Sequence, residues 1–236
     1  MKYPSIILVE TSHPGNIGAA ARAIKNMGLK QLVLVRPKTH HLDPVAIARA
    51  SGAVDILEQA KLYENLEDAI SAFTHVVAMS HRKRTVPIQM HTTSTFFNTF
   101  EVDHSYAFVF GNEQYGLTNE DLDLCQYQLT IDANPDYPSL NVASSVQIIT
   151  YECHKQFIQN KYNEDQTTTE PMPTQEEVTH FRNHLHATIE QLGVLRPKQA
   201  THTLRRITRL FNRANPSQKD IALWRGILTA IDKHNH

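Results

Sequence analysis

Ala107-Phe108-Val109-Phe110-Gly111-Asn112-Glu113-Gln114-Tyr115-Gly116-Leu117 begins as an unbroken apolar run, reaches a glycine, and turns through Asn112 to Tyr115 to a second glycine. A run apolar on both of its alternating faces suits a buried strand of a parallel sheet, and a glycine lets the chain leave such a strand sharply. The pattern then repeats. Thr118-Asn119-Glu120-Asp121 reads as a capping box opening a short helix, and Tyr127 to Asp132 alternates as a strand. Ala133 to Asn141, with Pro135 and Pro138, runs directly into a long helix from about Val142, whose apolar face is Val142, Val146, Ile149, Cys153 and Phe157. Two strand ends with polar, glycine- or proline-shaped exits predict a ligand crevice between them.

Working toward the N-terminus, Ser5 to Glu10 reads as a strand and Thr11 to Gly18 as the turn leading to a helix over Ala19 to Met27. Gly28 stands where a helix C-terminus favours glycine, and Gln31 to Val35 is a second strand. Strand, helix, strand is the parallel crossover unit, so the predicted class is α/β. Helices around Pro44 to Ser51 and Leu66 to Phe73 flank a short strand near Lys61 to Tyr63, and His75 to Ser80 is another buried strand. Residues 88 to 105 have no convincing period and fit either a helix or an irregular excursion.

Toward the C-terminus, apolar content falls between Asn160 and Pro173, which reads as a linker. Three amphipathic helices follow. Thr174-Gln175-Glu176-Glu177 caps the first, with the stripe Val178, Phe181, Leu185, Ile189 and Leu192 ending at Gly193. The second has Leu204, Ile207 and Phe211 under a basic face, and the third carries Ile221, Trp224, Leu228 and Ile231. The expected organisation is an α/β domain over 1–159, a linker over 160–173 and a small all-α domain over 174–236.

The net charge of −1 conceals an asymmetry. Residues 171–236 carry ten Lys/Arg against five Asp/Glu, a local +5, which leaves −6 for residues 1–170. Arg196, Lys198, Arg205, Arg206, Arg209 and Arg213 form an acid-free run. Such a run is either a solvated helix face or a polyanion contact. Arg82, Lys83 and Arg84, at the exit of the His75 strand, admit the same two readings, and their place at a strand exit favours phosphate.

No stretch has the length of a membrane span, and Cys125 and Cys153 are too far apart to suggest a metal site or a disulfide framework, so a cytoplasmic protein with buried thiols is expected. No Ser-His-Asp order and no metal-ligand cluster is evident. Gly15-Asn16-Ile17-Gly18 lacks the G-x-G-x-x-G order of a dinucleotide site, which argues against nicotinamide chemistry. Arg22, in an otherwise small and apolar helix, stays protonated at neutral pH and is suited to holding an anion rather than to acting as a base. Glu113 is either a solvated turn residue or the anchor of a neighbouring loop.

Gly15-Asn16-Ile17-Gly18 with Arg22, then Phe110-Gly111-Asn112-Glu113 with Gly116-Leu117, then Asn134-Pro135 through Ser139-Leu140-Asn141, resemble in this order the three motifs of the SPOUT RNA 2'-O-methyltransferases. Val9-Glu10-Thr11-Ser12-His13, Leu204-Arg205-Arg206 and Trp224-Arg225-Gly226-Ile227-Leu228 resemble the branch that methylates the ribose of nucleotide 32 in the tRNA anticodon loop. The resemblance covers nearly the whole chain. It implies a parallel-sheet SPOUT fold with a C-terminal trefoil knot, an exception to the rule that chains do not thread their own loops. It also implies a homodimer acting on tRNA, with no membrane and no metal. S-adenosyl-L-methionine would be held by Met79, Ser80, His81, Gly111, Ile131, Pro138, Ser139 and Leu140. Arg22 would be the central catalytic residue, with Asn16, Glu113, Ser139 and Asn141 in support, while Arg82, Arg84 and the basic residues of the helical domain would meet RNA.

The chain departs from that branch at two positions, with Asn112 in place of an arginine and Met79 in place of a threonine. Asparagine at the first is the pattern of the wider group. Two alternatives keep the fold: a 2'-O-methyltransferase of another RNA such as ribosomal RNA, and a catalytically silent RNA-binding dimer.

Overall fold

The computed structural model describes residues 2–81, 89–162, 171–193 and 200–234. Seven strands, β1 (Ser5–Val9), β2 (Gln31–Val35), β3 (Lys61–Tyr63), β4 (His75–Met79), β5 (Gln89–Thr92), β6 (Tyr106–Phe110) and β7 (Tyr127–Thr130), form one sheet in the order β3-β2-β1-β6-β4-β7-β5. Every pairing is parallel, with Ser5 opposite both Gln31 and Ala107, and Met79 opposite both Phe110 and Leu129. The strand alternation explains why β1 and β6 are apolar throughout. Ile6, Leu8, Phe108 and Phe110 point into one core layer, and Ile7, Val9, Ala107 and Val109 into the other.

Ten α-helices cover and extend the sheet among the described residues: α1 (Pro14–Asn26), α2 (Pro44–Ala50), α3 (Val54–Glu58), α4 (Leu66–Ile70), α5 (Thr93–Phe97), α6 (Asn119–Asp123), α7 (Val142–Tyr162), α8 (Gln175–Gln191), α9 (Ala200–Ala214) and α10 (Gln218–His234). The first layer includes buried residues of α1, α2, α3, α5 and α7, and the second buried residues of α4 and α6. The expected stripe of α7, Val142, Val146, Ile149, Cys153 and Phe157, is buried in the first layer. Both cysteines are free and buried, and burial pushes their thiols up, out of reach of neutral pH.

The first helix differs from its sequence reading. It starts at Pro14, not Ala19, because His13 caps it through Nδ1, which accepts from the Gly15 N–H at 3.0 Å, and because proline suits the first helical turn. Gly15 and Gly18 therefore lie inside the helix. A Cβ on Gly18 would stand 2.0 Å from the Ala46 carbonyl oxygen, so the glycine is there to let α1 and α2 approach. Of the stretch 88 to 105, the described residues Gln89–Thr92 form β5 and Thr93–Phe97 form α5, the latter opened by a capping box between Thr92 and Thr95.

The helices α8 and α10 pack through Phe181, Leu185, Ile221 and Leu228, with Ile207 and Phe211 of α9 against them. This cluster docks at the N-terminal ends of the strands. The Gln175 N–H donates to the Phe73 carbonyl at 2.7 Å and its side-chain amide to the Thr74 carbonyl at 3.3 Å, while Arg182 pairs with Glu67 at 2.8 Å. No described helix is long and apolar enough to cross a membrane.

Candidate functional site

The C-terminal ends of β4, β6 and β7 open into a cleft of about 430 Å³, closed on its outer side by residues 137–142. Three adjacent parallel strands thus leave their exits at one place, beside the point where chain order across the sheet jumps from β1 to β6. Met79, Leu129, Ile131 and Leu140 give the cleft apolar walls, and Ser80, Asn112, Glu113 and Ser139 give it polar ones. Met79, Ser80, His81, Gly111, Ile131, Pro138, Ser139 and Leu140, the eight positions named for a cofactor from sequence, all line it.

Local backbone chemistry shapes each wall. Gly111 cannot carry a side chain, since a Cβ would lie 2.2 Å from the Gly116 carbonyl carbon, and Gly116 itself takes a positive φ of 69°. Asn112 holds the turn from both ends. Its Nδ2 donates to the Glu10 carbonyl at 2.8 Å, and its Oδ1 accepts from the backbone N–H of Gln114 and Tyr115. Across the cleft, the Ser80 carbonyl accepts from Gln128 Nε2 and Thr130 Oγ1, both at 2.9 Å, which ties the β4 exit to β7.

Glu113 anchors rather than solvates. Oε2 accepts from the Ser12 N–H at 3.1 Å and from its hydroxyl at 2.9 Å, and Oε1 accepts from Asn16 Nδ2 at 2.8 Å. Burial is the largest single influence on this carboxyl and raises its pKa, but the hydrogen bonds from Asn16, from its own backbone N–H and from Ser12 together outweigh it, so the group is held below the usual carboxylate range. The network continues. Asn16 Oδ1 accepts from Asn141 Nδ2 at 3.0 Å, and Asn141 Oδ1 accepts from the Ala143 N–H at the start of α7. One chain of hydrogen bonds therefore joins the exits of β1 and β6 to the starts of α1 and α7. Asn16, Glu113 and Asn141 belong to it, and Ser139 lines the cleft beside it. Ser12 is a further member that sequence reading left inside a turn without a role.

Arg22 is not brought to this cleft. It lies two turns into α1, exposed, without an ion pair among the described residues and outside the cleft lining. Of the basic residues assigned to RNA, Arg82, Arg84, Arg196 and Lys198 lie outside the described residues. Arg205 and Arg209 both meet Asp123 of α6: Arg205 Nε at 2.6 Å, Arg209 Nη2 at 2.6 Å and Nε at 3.1 Å. Those two guanidiniums fasten α9 to the sheet domain. Arg206 and Arg213 face solvent. Among the described residues, no three His, Cys, Asp or Glu side chains gather to hold a metal.

A parallel sheet whose strand exits and returning loop enclose a cofactor-sized cleft, with a helical domain carried on the opposite strand edge, is the arrangement of one class of RNA-modifying enzyme. The chain belongs to the SpoU rRNA methylase family, whose model matches residues 4–151, and residues 176–236 match the C-terminal domain of the tRNA methyltransferase TrmJ. Among named relatives, it is 39% identical to the tRNA (cytidine/uridine/adenosine-2'-O-)-methyltransferase TrmJ of Pseudomonas aeruginosa, over 97% of this chain and 93% of that one. It is 40% identical to the tRNA (cytidine/uridine-2'-O-)-methyltransferase TrmJ of Pectobacterium atrosepticum, over 97% and 96% of the two chains. The crystal structure of TrmJ from Z. mobilis ZM4 superposes with a TM-score of 0.82 at 30% identity, covering 97% of this chain and 99% of that one.

Proposed function

We propose that this methyltransferase moves a methyl group from S-adenosyl-L-methionine to the ribose 2'-hydroxyl of nucleotide 32, cytidine or uridine, in the anticodon loop of tRNA. The observation that carries the reading is the meeting of eight cofactor-assigned residues in one cleft of about 430 Å³, within the ~300–1,000 Å³ typical of cofactor sites. Full-length likeness to enzymes named for tRNA ribose methylation supports the substrate. The cleft fits the donor in chemistry as well as size, since apolar Met79, Leu129, Ile131 and Leu140 line it together with polar Ser80, Asn112, Glu113 and Ser139. When bound, the sulfonium supplies a methyl group already activated for transfer.

The residues of the chain then have to place a hydroxyl and assist the loss of its proton. Glu113 is a poor base, because both of its oxygens already accept hydrogen bonds and its pKa is depressed. Its work is to fix Ser12 and Asn16, and through Asn16 the Asn141 that opens α7. Such rigid placement supplies a large part of the rate in transfers of this kind. Arg22, permanently charged, holds an RNA phosphate or the hydroxyl itself and stabilises the negative charge that develops on oxygen, with the proton passing to phosphate or solvent. Since Arg22 stands outside its own cleft, a second copy of the chain must bring it there, which gives the expected homodimer a catalytic reason. The loops around the cleft are read as threaded in the trefoil knot of the family, in a cytoplasmic enzyme.

The test is transfer of labelled methyl from S-adenosyl-L-methionine to total tRNA and, separately, to ribosomal RNA, followed by mapping of the labelled nucleotide. Label on the ribose of tRNA nucleotide 32 is the expected result. Label confined to ribosomal RNA would move the substrate, and binding of tRNA without any transfer would leave a silent RNA-binding protein.

A further inference from the structure

Two aromatic rings stand out at the cleft. Tyr137 and Tyr115, at 77% and 68%, are the most exposed of the large apolar side chains in the described residues, and both belong to loops that build the cleft. Tyr137 itself lines the cleft, and Tyr115 sits on the turn whose Glu113, Gln114 and Gly116 line it. Both backbones are fixed. The Tyr137 N–H donates to the Asn134 carbonyl at 3.0 Å, with Pro138 next in sequence, and the Tyr115 N–H donates to Asn112 Oδ1 at 3.3 Å. A fixed backbone presenting a bare ring to solvent loses little entropy when the ring is covered.

We propose that Tyr137 and Tyr115 are stacking faces for unpaired nucleobases of the RNA loop that delivers its ribose to the cleft; this rests on the RNA reading above and adds the residues that position the loop. For a ribose hydroxyl to enter, its nucleotide must leave the helical stack, and a base so exposed is commonly received on an aromatic ring. The neighbouring charges favour a base over the backbone. Exposed Asp136 precedes Tyr137, and Glu113 lies two residues before Tyr115, so phosphate would be repelled where a neutral base face is not. A second copy of the chain that supplies Arg22 must leave the mouth of the cleft, and with it both rings, open to the incoming ribose, which argues for RNA as their occupant.

The experiment measures binding of a fluorescent, unmodified tRNA transcript to the full chain by anisotropy, with affinity for S-adenosyl-L-methionine by calorimetry and assembled mass by sedimentation. Tyr137→Ala and Tyr115→Ala should each weaken tRNA binding about tenfold, Tyr137→Leu should be as weak, and Tyr137→Phe should stay within about twofold of wild type. Cofactor affinity and mass should not change, and both rings are exposed enough that truncation should leave the melting temperature in place. Unchanged tRNA binding in both alanine variants overturns the proposal. So does an equal loss in Tyr137→Phe, a loss of cofactor affinity in place of RNA affinity, or a fall in assembled mass. A wild type that binds tRNA in this ring-dependent way but transfers no methyl would overturn the proposed reaction and leave the stacking role standing, whereas a wild type that binds no tRNA overturns both.

Discussion

Both oxygens of Glu113 are occupied, and that one fact decides between a reactive and a supporting carboxylate. From sequence, the residue was either solvated or an anchor; the partners that settle it, Ser12 and Asn16, lie 101 and 97 residues away along the chain, and no local pattern encodes them. The same limit applies to Arg205 and Arg209. An acid-free run reads as either a solvated face or a polyanion contact, but Asp123, 82 and 86 residues earlier, takes both guanidiniums. His75 gives a titration at this scale. It lies buried in a stack with His104, Tyr106 and Tyr127, and burial first, then His104, pulls its pKa from 6.5 down to about 3. The folded chain thus refuses a proton that the unfolded chain accepts. Stability is therefore full above about 6.5 and falls toward pH 3, by up to about 1.4 kcal/mol per pH unit. Urea midpoints measured between pH 7 and 4 should decline less steeply in His75→Phe than in the wild type, and parallel curves would remove His75 as the cause.

At the scale of elements, legibility followed burial and capping. Strands such as β6 are buried on both faces, so apolar continuity alone marked them, and the boxes opening α6 and α8 were visible as Thr118–Asp121 and Thr174–Glu177. The start of α1 was displaced by reading Gly15 and Gly18 as a loop, because glycine signals turns unless a neighbour requires close approach. That neighbour is α2. Gly18→Ala should force the two helices apart and cost about 1–3 kcal/mol. Gly226 in α10, where a Cβ would meet nothing within 4 Å, should accept alanine without loss. Thermal unfolding of the two variants makes the comparison, and equal melting temperatures would contradict the packing role given to Gly18. Residues 88 to 105 stayed unreadable because β5 is a short edge strand and α5 a five-residue helix, too brief to establish a period.

For the whole molecule, the α/β class, the parallel sheet and the crevice at the strand exits were legible, while the relation of the basic helices to that crevice was not. Helix α9 docks on Asp123, and α8 on Phe73 and Thr74 at the N-terminal strand edge; the cleft opens at the C-terminal edge, about 16 Å away along a five-residue strand. Arg22 likewise lies outside the lining of its own chain's cleft. The proposed site is complete only when two copies share it, and mixing tests that directly. Arg22→Ala and Leu140→Arg, the latter placing a cation in the cleft, should each be inactive alone in methyl transfer to tRNA. Mixed and allowed to exchange subunits, they should recover about a quarter of the wild-type rate, the share expected if half the dimers are mixed and each keeps one intact site. Mixed dimers that form, bind S-adenosyl-L-methionine and tRNA, and still transfer no methyl would contradict the account.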